Sequence, residues 1–320
     1  MMKFKEIPAY KDPSPLRIST ITSLMCFDKK FDLVECFERI RPEGLANLKE
    51  GVSSVKIFRK RPHLNDIEAL EKTKAGLKST SVSSCFQNQM TLILNFTPSQ
   101  DDPLASPLPF PLPSPVRSPS LQEEEQVVDV HKDIQHPQQQ QQVSNTKRVN
   151  CFVFKDGKIK IAGLKSVADL TICDEALLKI FRASIDPDLQ LVSSLPVMLN
   201  TDFTIHFRLN RTVLFLLIIN EYSLCLSRYD PELYPGVKVK YSWNEIYHGD
   251  GICHCVKSCK GKGRGKGDGD CKIGTISVFQ TGKVIITGAN SYEQVQEMYN
   301  FINGIFKKHY EELFFREPSF

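Results

Sequence analysis

Two stretches of the chain alternate apolar and polar side chains on either side of a glycine-containing turn. CFVFKDGKIKIAGL runs from Cys151 to Leu164, and ISVFQTGKVIITGA runs from Ile276 to Ala289. Period-two alternation broken by such a turn predicts a β-hairpin in each. The two align with Val153 on Val278, Phe154 on Phe279 and Gly163 on Gly288, an offset of 276 − 151 = 125 residues. The helical spacing that follows each hairpin keeps that offset. Leu170, Cys173, Leu177 and Phe181 line one face after the first hairpin, and Val295, Met298, Ile302 and Ile305 line one face after the second. Ser166 with Asp169, and Ser291 with Gln294, each place an N-cap three residues before a side chain able to reach back. A hairpin and a cap repeated in one register predict an internal duplication.

The remaining pattern fits two copies of strand, helix, strands and helix. ISTIT (Ile18 to Thr22) alternates like a strand, FDLVECFERI (Phe31 to Ile40) has helical spacing, and MTLILNF (Met90 to Phe96) reads as a strand. In the second copy PVMLNTDFTIHF, RTVLFLLIIN and GVKVKYSW read as strand, helix and strand. The predicted class is α+β, with one curved antiparallel sheet, helices on one side only and the other face left bare as a candidate binding surface. The division is an N-terminal tail over 1–16, a first repeat over 17–184 and a second over 190–316. Two insertions interrupt it. The one at about 97–146 is rich in proline and glutamine, too poor in apolar surface to offset its ordering entropy, and is expected to be disordered. The other, at about 248–272, is rich in glycine, lysine and cysteine and reads as a flexible loop.

The turn length decides what the bare face carries. With a three-residue loop at Gln280-Thr281-Gly282, Phe279 pairs with Lys283, Ser277 with Ile285, and Thr275 with Thr287, all on one face. The loop Lys155-Asp156-Gly157 likewise gathers Asn150, Phe152, Phe154, Lys158, Lys160 and Ala162. A two-residue loop would shift the register by one and send each phenylalanine to the other side. The three-residue loop is preferred because it turns Val278, Val284 and Ile286 toward the helices. The resulting face mixes phenylalanine, small hydroxyl and aliphatic side chains, with lysines at its margin. An ordinary sheet with a few exposed apolar residues is the bland alternative.

Composition narrows the picture only a little. A net charge of +4 is too small to argue for a polyanionic partner by itself, although a basic face can hide within it. The longest apolar run, VLFLLII, is far too short for a membrane span, and the first residues have no signal-peptide core. An intracellular setting is expected, in which the 10 cysteines serve as thiols or metal ligands rather than disulfides.

RYDPELYPGVKVKY (Arg228 to Tyr241) is very similar to a stretch of the TATA-box-binding protein family, where Tyr-Glu-Pro-Glu-Leu-Phe-Pro-Gly enters a strand. VFQTGKVIITGA resembles that family's Ile-Phe-x-Ser-Gly-Lys-x-Val-x-Thr-Gly-Ala hairpin. The resemblance spans about Arg17 to Arg316, less the insertions. It implies a saddle whose bare face sits in the minor groove of AT-rich double-stranded DNA and bends it, a monomer on DNA, and a factor-IIB-like partner with RNA polymerase. Phe154 and Phe279 match the family's wedging phenylalanines, Tyr234 matches a second wedge, and the first-half counterpart of Tyr234 is Phe86 or Met90. Thr287 and Ile285 match residues touching base edges, and Lys240 and Lys165 match cations near phosphates. The wedge mechanism is the one for which this family is the standard example.

The departures lie at the centre. Where the family has an asparagine in each half, the ungapped alignment gives Thr20 and Met198, with Thr22 and Asn200 two residues further along. Lys160 and Ala162 stand where Val and Thr are expected. These changes imply a relaxed or altered AT preference. With the insertions they resemble the versions found in large DNA viruses, and hence a nucleus or a cytoplasmic viral factory; a divergent cellular paralogue is the alternative.

Cys253, Cys255, Cys259 and Cys271 form C-x-C-x₃-C-x₁₁-C. Four thiolates suit a tetrahedral structural zinc site, yet the spacing matches none of the paired C-x₂-C knuckles, so free thiols in a flexible loop compete with zinc. No cofactor is required for the reading as a whole. The leading expectation is a non-enzymatic transcription-initiation factor, and the alternative is a protein-interaction module on the same fold. A zinc enzyme is disfavoured, since no glutamate base adjoins the cysteines.

Overall fold

The hairpin alternation becomes two pairs of strands whose alternate residues meet the helices. The structure is a computed structural model that describes residues 7–42, 51–60, 67–82, 89–98, 146–247 and 249–316. Eleven strands make one antiparallel sheet. They are β1 (Arg17–Phe27), β2 (Gly51–Lys60), β3 (Ile67–Thr73), β4 (Gly76–Val82), β5 (Gln89–Phe96), β6 (Lys147–Phe154), β7 (Lys158–Leu164), β8 (Leu191–Thr204), β9 (Val237–Trp243), β10 (Lys272–Val278) and β11 (Lys283–Ala289). The spatial order is β4-β3-β2-β5-β6-β7-β1-β8-β11-β10-β9. Helices α1 (Leu33–Arg39), α2 (Val167–Ser184), α3 (Arg211–Asn220), α4 (Tyr292–Lys308) and α5 (Tyr310–Leu313) intervene. None is long and apolar enough to cross a membrane.

The 125-residue offset holds through consecutive elements. β6 and β10 start at Lys147 and Lys272, β7 and β11 at Lys158 and Lys283, and α2 and α4 at Val167 and Tyr292. The caps match atom for atom. The Ser166 hydroxyl accepts from the Asp169 N–H and the Ser291 hydroxyl from the Gln294 N–H, at 3.1 and 3.3 Å. In return, the Lys165 N–H donates to the Asp169 carboxylate and the Asn290 N–H to Gln294 Oε1, at 3.2 and 2.8 Å. Each box therefore satisfies two helix-start donors.

Both cores lie on the helix side of the sheet. Val149, Cys151, Val153, Ile159 and Ile161 bury against Leu170, Cys173, Leu177 and Phe181 of α2. Val237, Val239, Ile276, Val278, Val284 and Ile286 do the same against Val295, Met298, Ile302 and Ile305 of α4. Each such side chain contributes about 1.5–3 kcal/mol by leaving water. The two halves join where β1 pairs with β8, Thr20 opposite Asn200 and Thr22 opposite Met198, with bulges along the ladder. Pro196, which has no N–H to give, sits beside one of them.

Several expectations need correction. β1 runs on to Phe27 and β8 begins at Leu191, so the central strands are longer than alternation alone marked out. Strands β2, β3 and β4, and the short α5, were not anticipated. β3 (IEALEKT) is built of good helix formers and is held as a strand by pairing with β2 and β4. The expected disordered insertion falls almost wholly outside the described residues.

Both hairpins close as three-residue loops. The Gly282 N–H donates to the Phe279 carbonyl at 3.0 Å and the Gly157 N–H to the Phe154 carbonyl at 3.2 Å, with φ of +85° and +81°. A Cβ on Gly282 would lie 2.5 Å from the Ile205 carbonyl oxygen, and one on Gly157 2.2 Å from that of Lys29. Gly157→Ala and Gly282→Ala should therefore each lose at least about 1–3 kcal/mol. Gly304→Ala, inside α4 with nothing within 4 Å, should gain about 0.5–1 kcal/mol. Denaturant midpoints check all three, and a fully stable Gly282→Ala variant would contradict the loop geometry.

Candidate nucleic-acid interface

The register fixes the occupants of the face that the helices leave bare. In the second half Thr275 pairs with Thr287 and Ser277 with Ile285, while Phe279 donates its N–H to the Lys283 carbonyl at 2.9 Å. In the first half Asn150 pairs with Ala162 and Phe152 with Lys160, and Phe154 ends β6. Leu24 lies opposite Lys160 and Thr22 opposite Ala162, which carries the face onto β1. Phe152, Phe154, Phe279, Ile285 and Thr287 are all half-buried, and Lys160 is exposed.

The Phe279 end brings together the Tyr234 turn, the Gln280–Gly282 loop and the start of α3. The Tyr234 ring lies 5.7 Å from that of Phe279 at 56°, and Lys238 Nζ sits 3.9 Å from the Tyr234 centroid. Gly236 makes this possible, since a Cβ there would approach Tyr234 Cε1 to 2.9 Å and Phe279 Cε1 to 3.1 Å. Arg211, at the start of α3, donates to the Pro235 carbonyl and, at 3.2 Å, to Gln280 Oε1. It thereby ties the Tyr234 turn to the Phe279 loop. Nothing in the local pattern around Arg211 signalled that role.

Register also settles part of the first-half counterpart. Val237 stands opposite Val278, and Met90 opposite Val153, which is the equivalent of Val278. Met90 therefore corresponds to Val237, and both are fully buried on the helix side. Met90 is not a partner of Phe154 on the bare face. Phe86 lies outside the described residues.

At the centre, Asn200 Nδ2 donates to Thr20 Oγ1 at 3.0 Å, beside the half-buried Met198 and the buried Thr22. Two positions further along β8 sits a residue that sequence reading passed over. Asp202 is 4% exposed and lies opposite Ile285. Arg17 donates to both its oxygens, at 3.1 and 2.9 Å, Ser19 Oγ donates at 2.6 Å, and Lys283 closes a second ion pair. Burial pushes the Asp202 carboxyl up, but the hydrogen bonds from Arg17, Lys283 and Ser19 outweigh it and hold the group well below the usual carboxylate range.

The remaining cations flank the face. Lys240 Nζ donates to Thr275 Oγ1 at 2.7 Å, and Lys165 Nζ donates to the Ser19 carbonyl. Burial first, then Lys238 and Arg228, hold Lys240 below the ordinary lysine value. An anion placed there would be stabilised by all three charges.

The cysteine loop gathers its four sulfurs and is held by hydrogen bonds from its own backbone. The Sγ atoms of Cys253, Cys255, Cys259 and Cys271 all lie within 4.8 Å of one another, with Cys271 at 3.3 Å from Cys255 and 3.6 Å from Cys253. Tetrahedral coordination at the usual Zn–S length requires sulfurs about 3.8 Å apart, so this donor set fits a metal ion. Asp268 accepts from the Val256 and Lys257 N–H groups, and Asp270 from those of Arg264 and Lys266. Burial works against the Cys259 thiolate, but N–H groups of Gly261 and Cys271 and the neighbouring thiols outweigh it and lower the pKa. His254 is turned away onto Asp250 at 2.6 Å.

No protein-family model and no curated protein matches the chain. Among solved structures it is similar to Methanococcus jannaschii TBP, with a TM-score of 0.42 and 12% sequence identity over 92% of this chain and 99% of that one.

Asp202→Asn should cost about 1–3 kcal/mol at pH 7, because two cations lose their carboxylate while remaining partly solvated. A depressed carboxyl contributes stability that is complete above its unfolded value near ~4 and is lost as pH falls toward the native one. The gap between variant and parent should accordingly narrow from pH 5 to pH 2 in thermal melts. A constant gap would assign the loss to packing rather than charge.

Proposed function

We propose that the bare face binds double-stranded, AT-rich DNA in the minor groove and bends it, so that the protein acts as a non-enzymatic transcription-initiation factor resembling the TATA-box-binding family. The observation that carries this reading is the pair of hairpins that bring Phe154 and Phe279 to equivalent positions, 125 residues apart, on one sheet. A minor groove presents mainly acceptors and little shape beyond its width, so apolar wedges and short side chains suit it better than a reading helix. Thr20, Thr22, Asn200, Thr275 and Thr287 supply the short polar groups, while Lys160, Lys165, Lys240 and Lys283 supply charge toward phosphates. In this reading the sheet is a saddle produced by internal duplication, and the DNA-bound monomer recruits a factor-IIB-like protein and RNA polymerase inside the cell. The half-buried Met198 and the Asp202 ion pairs at the centre favour a looser base preference.

A second reading keeps the fold as a protein-binding module. The loss of the family's central side chains, with Thr20, Met198, Lys160 and Ala162 in their places, favours it.

The four cysteines are read as the ligands of one structural zinc ion. Bound there, the metal supplies a cross-link between Cys253–Cys259 and the start of β10 and no chemistry of its own. Purified reduced protein should contain one zinc per chain, and a Cys259→Ser, Cys271→Ser variant should contain none. A metal-free, fully folded parent would refute the assignment.

Phe154→Ala and Phe279→Ala should each reduce bending at one end of the site and weaken binding, because unstacking is repaid only by the surface that a bent duplex can touch. Lys240→Ala should instead flatten the salt dependence and spare the bend. End-to-end distance in a doubly labelled AT-rich duplex, with affinity across a salt series, separates the two effects. Parent-like bending by both phenylalanine variants would rule out wedging.

A further inference from the structure

Two rows of side chains cross the bare face at equivalent places, one in each half. In the first, Phe152 stands opposite Lys160, Lys160 opposite Leu24, and Leu24 opposite Leu195. In the second, Ser277 stands opposite Ile285, Ile285 opposite Asp202, and Asp202 opposite Arg17. Phe152 with Ser277, and Lys160 with Ile285, keep the 125-residue offset of the hairpins. So do Lys158 and Lys283, which stand opposite Cys26 and Thr204, and β1 therefore corresponds to β8 at 204 − 26 = 178 residues. Leu24 with Asp202, and Arg17 with Leu195, keep that second offset. The leucine pair of one half is thus the image of the ion pair of the other.

The images differ in chemistry. Leu195 is 58% exposed and Leu24 is half-buried, and no side chain among Phe152, Lys160, Leu24 and Leu195 can accept a hydrogen bond. The other row is built around a carboxylate. Arg17 grips both oxygens of Asp202 through Nε and Nη2, yet 73% of its side chain remains exposed, and Nη1 takes part in neither bond. Ser19 occupies the bulge of β1 and gives its proton to Asp202 at 2.6 Å. Its oxygen keeps lone pairs with which to accept. Lys283 holds the same carboxylate from the β11 side, so Asp202 stays paired whichever way Arg17 leans.

We infer that these two rows give the halves different base preferences, with Leu24 and Leu195 demanding A·T and Arg17 with Ser19 admitting G·C. This rests on the minor-groove reading above. In that groove A·T pairs show acceptors only, whereas G·C pairs add the guanine amino donor. Against Leu24 and Leu195 that amino group loses its water and finds no acceptor, which is costly. Against the other row Ser19 Oγ accepts from the amino group, while Arg17 Nη1 donates to a neighbouring purine N3 or pyrimidine O2. Asp202 is a positioning residue that holds both in place. A duplex with one purely A·T half is then bound in a single orientation, that half lying under Leu24 and Leu195.

The test starts from a palindromic A·T duplex, on which the protein can sit either way round. G·C pairs are introduced singly along the site, or doubly at mirror-related positions, with affinity and bend angle measured for each. At the sensitive position one pair should cost the parent only about twofold, the loss of one of two orientations. The mirror-related pair should cost about tenfold more. Arg17→Leu/Asp202→Leu makes both rows apolar, so a single pair should already cost about tenfold. Leu195→Ser, at a well-exposed site, puts an acceptor into the other row and should remove most of the penalty for two pairs. A parent that binds and bends the A·T duplex but loses tenfold to one pair, or nothing to two, overturns the asymmetry alone. Variants that match the parent on every duplex overturn the residue assignment. A parent that does not bind the A·T duplex overturns the minor-groove reading and the asymmetry with it.

Discussion

The antiparallel pairing of β1 with β8 is the constraint on which the rest depends. Among the described residues it is the one strand pairing between two sets of strands that each bury one face against their own helices. Ile21, in the first core, pairs with Leu199, in the second, so the two halves turn the same side toward their cores at this seam. The seam also sets Thr20 against Asn200 and Thr22 against Met198, placing all four at the midpoint of the face. A register shift of one here would turn one half inside out relative to the other.

Neighbouring registers give β1 and β8 their own offset. Cys26 stands opposite Lys158 and Thr204 opposite Lys283, so the equivalent positions are 204 − 26 = 178 residues apart, against 125 for the hairpins. The first half is longer between its opening strand and its hairpin, where β2, β3, β4 and the proline- and glutamine-rich segment lie. That explains why the repeat is legible from the hairpins onward and blurred before them. The hairpins and caps could be read because their causes are local: alternation, a left-handed glycine, and a serine three residues before Asp169 or Gln294. β3 could not, because its composition favours a helix and only its neighbours make it a strand. The order in the cysteine loop was hidden for a similar reason. A run rich in Gly and Lys reads as flexible until Asp268 and Asp270 are seen to bind its backbone and Glu297 its root. Arg211 and Asp202 act through partners 69 and 185 residues away, beyond any window of pattern.

The face carries several cations, and its buried carboxylate is paired with two of them. Lys240 is crowded by Lys238 and Arg228, while Asp202 is covered by Arg17 and Lys283. The cations at the centre are therefore partly spent within the protein, and in the proposed function those at the margins would carry more of the attraction toward a phosphate backbone. Such a division favours positioning along the backbone over discrimination at the middle of the site.

The claim that the bare face reads a minor groove is tested most directly by replacing A·T pairs with I·C pairs in an AT-rich duplex. Inosine lacks the guanine amino group, so an I·C pair presents the minor-groove pattern of A·T and the major-groove pattern of G·C. Affinity measured by anisotropy on the two duplexes at one salt concentration should be nearly equal. Binding that is lost on the I·C duplex would place recognition in the major groove and contradict the account.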